Sequence, residues 1–72
     1  MRFWYTFHVR EWFLAPRDWD QVYEAGDSRE CWTSFLFEDN DEEARKHLIE
    51  TAKEDDIELE IFDMGKSEEK CH

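Results

Sequence analysis

The chain has 72 residues, with twenty Asp or Glu against nine Lys or Arg and a formal net charge of −11. This length allows one domain and excludes a large enzyme with a cofactor cleft inside an extensive core. Charged residues at 40% favour disorder, but aromatic residues at 17% bury large apolar areas, so the composition predicts a small folded domain with an acidic surface.

Residues 2–10 are predicted to form the first strand, because aromatic and β-branched side chains alternate with polar ones. Alternate positions from Phe3 to Val9 form the expected core face. Trp4 lies on the opposite face, which indicates that this second face is also partly covered.

Residues 11–30 allow two interpretations. Pro16 suits the first turn of a short helix that ends at Gly26, and a strand over residues 21–25 is the alternative. In either case we expect this segment to shield part of the second sheet face.

A second strand is predicted over residues 31–37, with Phe35 and Phe37 on one face and Trp32 on the other. The clearest helix covers residues 41–54. Asn40 is a good N-cap, and Glu43 stands three residues later, as a capping box requires.

A third strand is predicted over residues 57–63, which alternate again. The fold class is therefore α+β: a single-layer sheet of three or four strands packed on one main helix, in the order strand, short helix or strand, strand, helix, strand. The helix between residues 31–37 and 57–63 predicts that these two strands run parallel. Residues 1–64 form the expected compact domain, and residues 65–72 the expected flexible tail.

The acidic charge is concentrated in the second half of the chain. Residues 1–37 have a net charge of −2 and residues 38–72 a net charge of −9, while eleven of the twelve aromatic residues precede residue 38. Such a protein repels nucleic-acid phosphates and anionic membranes, so the expected partner is a basic protein surface. We expect the protein itself to be monomeric.

Some of these acidic residues have no local structural explanation. Acids at the start of the helix suit its dipole, but Glu54, Asp55 and Asp56 lie at its C-terminus, where the dipole disfavours them. Glu58 and Glu60 then follow on the outward face of the third strand, where no local interaction favours an acid. Residues that break a local rule are expected at functional sites. The predicted partner-binding residues are Glu38, Asp39, Asp41, Glu42, Asp55, Asp56, Glu58 and Glu60.

No other chemistry is indicated. A calcium loop starting at Asp39 would place Ala44 where a glycine is required, and the His and Cys residues lack metal-ligand spacing. We therefore predict no metal, no cofactor and no enzymatic activity. Cys31 and Cys71 are expected to be reduced thiols, with a disulfide between them as the alternative.

The N-terminal segment does not predict secretion or membrane insertion. Its apolar residues are interrupted by His8 and Arg10, without a signal-peptide cleavage site, and the chain has no run of eighteen apolar residues. We expect a cytoplasmic protein.

Four tryptophans are many for this length. We expect them to build the core and a second layer beside it, and the alternative is an exposed aromatic patch that binds a partner.

The chain has a strand, a helical segment and a further strand in succession, and the helical segment begins Asn-Asp-Glu-Glu-Ala-Arg-Lys-His-Leu (residues 40–48). This pattern is similar to that of many small phage and bacterial α/β proteins. Together with the size, acidity and aromatic content, the chain resembles the anti-CRISPR proteins of phages that mimic DNA. The resemblance rests on composition and element order, and it transfers no individual residue.

The resemblance implies an inhibitor that acts in the cytoplasm of an infected bacterial cell. Such a protein would bind the DNA-binding surface of a CRISPR effector subunit and block target DNA. The alternative function is a general interaction module that docks through its tryptophans, with the acids serving solubility.

Overall fold

A computed structural model of the chain describes residues 2–18 and 22–68. The elements in chain order are β1 (Arg2–Phe13), β2 (Arg17–Asp18), β3 (Val22–Tyr23), β4 (Ser28–Glu38), α1 (Asp41–Glu54) and β5 (Ile57–Glu68). Strands β1, β4 and β5 form a three-stranded sheet, and β2 and β3 form a separate two-stranded ribbon. The architecture is the predicted α+β class with one main helix.

β1 is the central strand of the sheet, with β4 and β5 antiparallel to it on either side. β4 and β5 therefore run in the same direction, as predicted, although β1 lies between them. The β1–β4 ladder is uninterrupted, whereas the β1–β5 ladder shifts register between His8 and Val9.

The connection between β1 and β4 differs from the helical interpretation. β1 continues to Phe13, because the alternation of the first strand does not stop at residue 10. Val22 and Tyr23 then pair with β2, which favours the strand alternative. Gly26 does not end a helix: it adopts a φ of 94° in a turn and donates its N–H to the carbonyl of Phe13 (2.7 Å).

α1 begins and ends at the predicted residues. The Oδ1 of Asn40 accepts the N–H of Glu43 (3.1 Å), which is one half of the predicted capping box. The N–H of Asn40 donates to the hydroxyl of Tyr5 (3.0 Å), so the helix start is tied to the central strand.

The core lies on one side of the sheet, beneath α1. One cluster contains Tyr5, Phe7, Val9 and Ala44, and a second contains Phe13, Ala52 and Ile57; all seven residues are buried. Each large apolar side chain buried in this way contributes about 1.5–3 kcal/mol.

β5 is longer than predicted. It extends to Glu68, and residues 65–68 pair with β1 between Phe3 and Thr6. This pairing corrects the expectation of a flexible tail for residues 65–68, and residues 69–72 lie outside the described residues.

Candidate interaction surface

The face of the sheet that points away from α1 is exposed and aromatic. We call it the open face, and it is built on the even-numbered residues of β1 and β4 and on Phe62 of β5. The exposed fractions are 64% for Trp32, 45% for Trp4, 45% for Phe62 and 41% for Trp12. These three tryptophans are therefore not core residues, and the expectation that segment 11–30 shields this face is wrong for the described residues. Trp19 lies outside them.

The rings at the centre of the open face hold each other in place. His8 stacks on Trp32, with ring centroids 4.7 Å apart and planes at 14°, and it meets Phe62 at 5.1 Å. Phe62 follows Ile61 at the point where the β1–β5 ladder shifts register. Rings ordered in this way lose little conformational freedom when they bind.

The cations of the open face are already engaged. The guanidinium of Arg10 lies 5.8 Å from the ring centroids of both Trp12 and Phe62, and it forms an ion pair with Glu30. The same Glu30 carboxylate lies 3.5 Å from Nε2 of His8. Glu30 was not among the predicted site residues, and its position beside two basic residues follows only from the β1–β4 register.

Two of the predicted residues, Glu58 and Glu60, border the open face. They are the cross-strand neighbours of Trp12 and Arg10 on β5, and Asp63 is the neighbour of His8. Within residues 2–18 and 22–68, neither glutamate forms an ion pair. These carboxylates are available to a basic partner.

The four predicted residues near the start of α1 lie at the other end of the molecule. Nζ of Lys66 lies 2.8 Å from Oδ1 of Asp39 and 3.2 Å from Oδ1 of Asp41, and the Tyr5 hydroxyl donates to the same Asp41 oxygen (2.9 Å). These hydrogen bonds, first that of Tyr5 and then that of Lys66, hold the pKa of Asp41 below its ordinary value. Two of the four acids thus connect the start of α1 to β5, while Glu38 and Glu42 are exposed beside them.

Asp55 and Asp56 follow α1 at its opposite end. Asp55 is the C-cap, and Asp56 has a φ of 59° and accepts the N–H of Leu14 at its carbonyl oxygen (2.9 Å). The two ends of a 14-residue helix are roughly 20 Å apart. The eight predicted residues therefore do not form a single surface.

A small cleft of about 210 Å³ between α1 and the sheet contains Cys31 and Glu11. The Cys31 thiol donates to Oε1 of Glu11 (3.1 Å), and burial together with this hydrogen bond raises the pKa of Cys31 to about 11. The free thiol is protonated at neutral pH, which disfavours a nucleophilic role. Cys71 lies outside the described residues, so the disulfide alternative stays a prediction.

Within the described part of the chain, no group of three or more His, Cys, Asp or Glu residues could hold a metal ion. No helix in that same part is long and apolar enough to cross a membrane. No protein-family model, no curated protein and no solved structure matches this chain.

Proposed function

We propose that the protein is a non-enzymatic binding protein whose open face docks on a basic surface of another protein. The observation that carries the proposal is the exposure of Trp4, Trp12, Trp32 and Phe62 on one sheet face, where His8 and Arg10 connect the last three of these rings. Contiguous apolar patches mark interaction sites, and tryptophans supply much of the binding energy in protein interfaces.

The charge supports a basic partner rather than a nucleic acid. Exposed rings on a sheet also suit base stacking, but the carboxylates of Glu58, Glu60 and Asp63 beside these rings would repel phosphates. With a net charge of −11, electrostatic attraction would accelerate encounter with a lysine- and arginine-rich surface.

Inhibition of a CRISPR effector by DNA mimicry is the second candidate. It is favoured by Glu58 and Glu60, which lie next to Trp12 and Arg10 without an ion pair among the described residues. In this version both glutamates would bind basic side chains that otherwise contact phosphates. Asp39 and Asp41 contribute less, because both already bind the ammonium group of Lys66.

The test is affinity purification of the tagged protein from a bacterial lysate that contains a CRISPR effector. The paired variant Trp12→Ala/Phe62→Ala should lose the retained partner, and Glu58→Gln/Glu60→Gln should weaken it. Glu50→Gln/Glu54→Gln removes the same charge from exposed positions of α1 and serves as the matched control.

The outcomes separate the two candidates. Target DNA should displace the protein from its partner if it mimics DNA, whereas a partner that holds both at once rules out mimicry and leaves docking intact. Full retention of the partner by Trp12→Ala/Phe62→Ala would show that the open face is not the docking surface.

A further inference from the structure

The two outer strands of the sheet differ in how their free edges are protected. β5 has a register shift, a glycine at position 65 and charged side chains along its length. Bulges and charges are the features by which proteins keep an edge strand from pairing with another chain. β4 pairs with β1 without interruption, and its residues 31–37 contain neither a charged residue nor a proline.

The outer edge of β4 also has free backbone groups in the described structure. β4 pairs with β1 alone, and among residues 2–18 and 22–68 no turn or cap hydrogen bond reaches positions 30–37. Alternate residues of an antiparallel strand direct their N–H and C=O away from the neighbour, so about five residues of β4 present unpaired groups outward. This edge is a template for a further strand.

The side chains beside the edge indicate what such a strand would contain. A cleft of about 180 Å³ lies between β4 and α1, and it is lined by Thr33, Ser34, Phe35, His47, Leu48 and Thr51. An added strand would direct alternate side chains toward this cleft and the others toward Trp32 and Leu36 on the open face. The aromatic and aliphatic groups beside the edge favour β-branched residues such as Val and Thr at the centre of the added strand.

We propose that the outer edge of β4 accepts an extended segment of a basic partner protein as a fourth strand. Backbone hydrogen bonds supply affinity in this binding mode, and pockets for alternate side chains supply specificity. Lysines or arginines around the β-branched centre complement the net charge of −11. The edge consists of backbone groups of β4 and adjoins the open face at Trp32 and Leu36, so this inference stands without the proposed function.

A second copy of the chain is a poorer occupant of the edge. Each copy has a net charge of −11, which opposes association. Symmetric antiparallel pairing centred on Ser34 would also place Glu30 opposite Glu38 of the second copy, and like charges directly opposite destabilise a strand pair.

The test uses the capped peptide Lys-Val-Lys-Val-Thr-Val-Lys-Val-Lys and amide hydrogen exchange of the ¹⁵N-labelled wild-type protein. At about 1 mM peptide, alternate amides of residues 31–37 should exchange at least tenfold more slowly. The same peptide with two central prolines should give no protection, because proline cannot donate to the ladder. Protection confined to β5, or none at all, would overturn the proposal.

Two variants at one position test the edge independently. In Thr33→Lys, the new ammonium group can reach water across the free edge of β4. An added strand would cover this group, so peptide affinity should fall about tenfold or more. Thr33→Val retains the strand preference and should bind like wild type. If Thr33→Lys fails to fold, the exchange experiment on the wild-type protein decides alone.

Two controls separate this proposal from its rivals. Trp12→Ala alters the open face on the central strand, away from the edge of β4, and should leave peptide binding unchanged. Peptide binding at the edge therefore tests the edge proposal even if the open face turns out not to be a docking surface. Analytical ultracentrifugation of the protein alone should show a monomer. A dimer whose protected amides are those of residues 31–37 would mean that a second copy occupies the edge, and would refute the basic-segment proposal.

Discussion

Asp56 is the non-glycine residue with a positive φ in the described structure, 59°, and it comes directly after the C-cap of α1. Aspartate and asparagine enter this left-handed region more easily than most residues, because their short polar side chains form local hydrogen bonds. The helix dipole disfavours an acid at this position, but the positive φ of the backbone explains why an aspartate is found here.

We predict that Asp56→Gly stabilises the protein. Glycine adopts a positive φ without steric cost, and the change removes an anion from the negative end of the helix dipole. The free energy of unfolding should rise by about 0.5–1 kcal/mol, as measured by urea unfolding.

Asp56→Asn is the matched control for this prediction, because it removes the charge and keeps the tolerance of positive φ. A gain of equal size in both variants would assign the effect to charge alone. Lower stability of Asp56→Gly would contradict the conformational explanation.

The candidate acidic residues show how far single residues could be judged from the sequence. Local sequence rules left Glu58 and Glu60, on the outward face of a predicted strand, without a structural explanation, and the structure leaves them without an ion pair among the described residues. The same rules could not reveal that Lys66 binds Asp39 and Asp41, because no local pattern joins residues 25 or more positions apart.

At the scale of elements, one polar cluster connects β1, α1 and β5. Tyr5 belongs to the central strand, Asp41 to the first turn of α1, and Lys66 to the last part of β5. The bonds of Lys66 to Asp39 and Asp41 raise the pKa of its ammonium group. A single lysine thus fixes the end of β5 to the start of the helix.

We predict that Lys66→Gln lowers the melting temperature at pH 7, with a difference from wild type that shrinks in acid. The folded-state pKa of Asp41 is depressed, so its contribution is present above the ordinary value of 3.8 and is lost as the pH falls through the folded-state pKa. The raised pKa of Lys66 is the opposite case, and its contribution is lost only as the pH rises beyond 10.5. Thermal unfolding followed by circular dichroism from about pH 7 to pH 2 measures the difference.

Lys46→Gln removes the same charge from an exposed position of α1 and controls for net charge. Its melting temperature should follow the wild-type pH profile. If Lys66→Gln and Lys46→Gln behave alike at every pH, the cluster does not contribute to stability.

Gly65 lies in β5, directly opposite Thr6, with its missing side chain directed at the open face. Its φ is not positive. A Cβ atom at this position would lie 3.9 Å from the carbonyl oxygen of Thr6, its nearest neighbour, which is an ordinary van der Waals distance. No local conformation requires glycine here. Glycine inside a strand is typical of a place where another molecule approaches closely.

We predict that Gly65→Val raises the free energy of unfolding by about 0.5–1 kcal/mol, because valine restricts the unfolded chain and favours strands. The same change should weaken binding of a partner at the open face by about tenfold, since the valine side chain would protrude from the docking surface and keep the partner from close contact. Urea unfolding and titration with the purified partner measure the two effects.

Gly65→Ala provides a graded comparison, with a smaller added side chain and a smaller loss of affinity. A stability gain without any loss of binding would place the docking surface elsewhere. A loss of stability would show that the backbone at Gly65 requires glycine after all.

The regular elements could be predicted because their periodicity is local. Alternation over residues 2–10 and 31–37, and the cap at Asn40, each depend on neighbouring residues. The sequence offered an exposed aromatic face only as an alternative, because nothing local decides whether segment 11–30 covers it. The β2–β3 ribbon of that segment leaves Trp4 and Trp32 exposed. The register shift beside His8 is likewise a property of two strands together.

At the scale of the whole molecule, the charge opposes folding and favours binding. Twenty acidic residues repel each other on a small surface, while the ion pairs of Lys66, Arg29 and Arg10 act over short distances. Salt screens charges that are separated by more than about 10 Å at 0.1 M, so it weakens the widespread repulsion more than these contacts. Binding to a basic partner depends on the same long-range field with the opposite sign.

We therefore predict that salt changes stability and binding in opposite directions. Raising NaCl from about 0.02 M to 0.5 M should increase the melting temperature by a few °C, because self-repulsion is screened. Over the same range the association rate with a basic partner should fall at least tenfold, with a smaller change in dissociation rate. Differential scanning calorimetry and surface plasmon resonance measure the two effects. A melting temperature that falls with salt would mean that ion pairs outweigh repulsion, and an association rate independent of salt would exclude a basic partner.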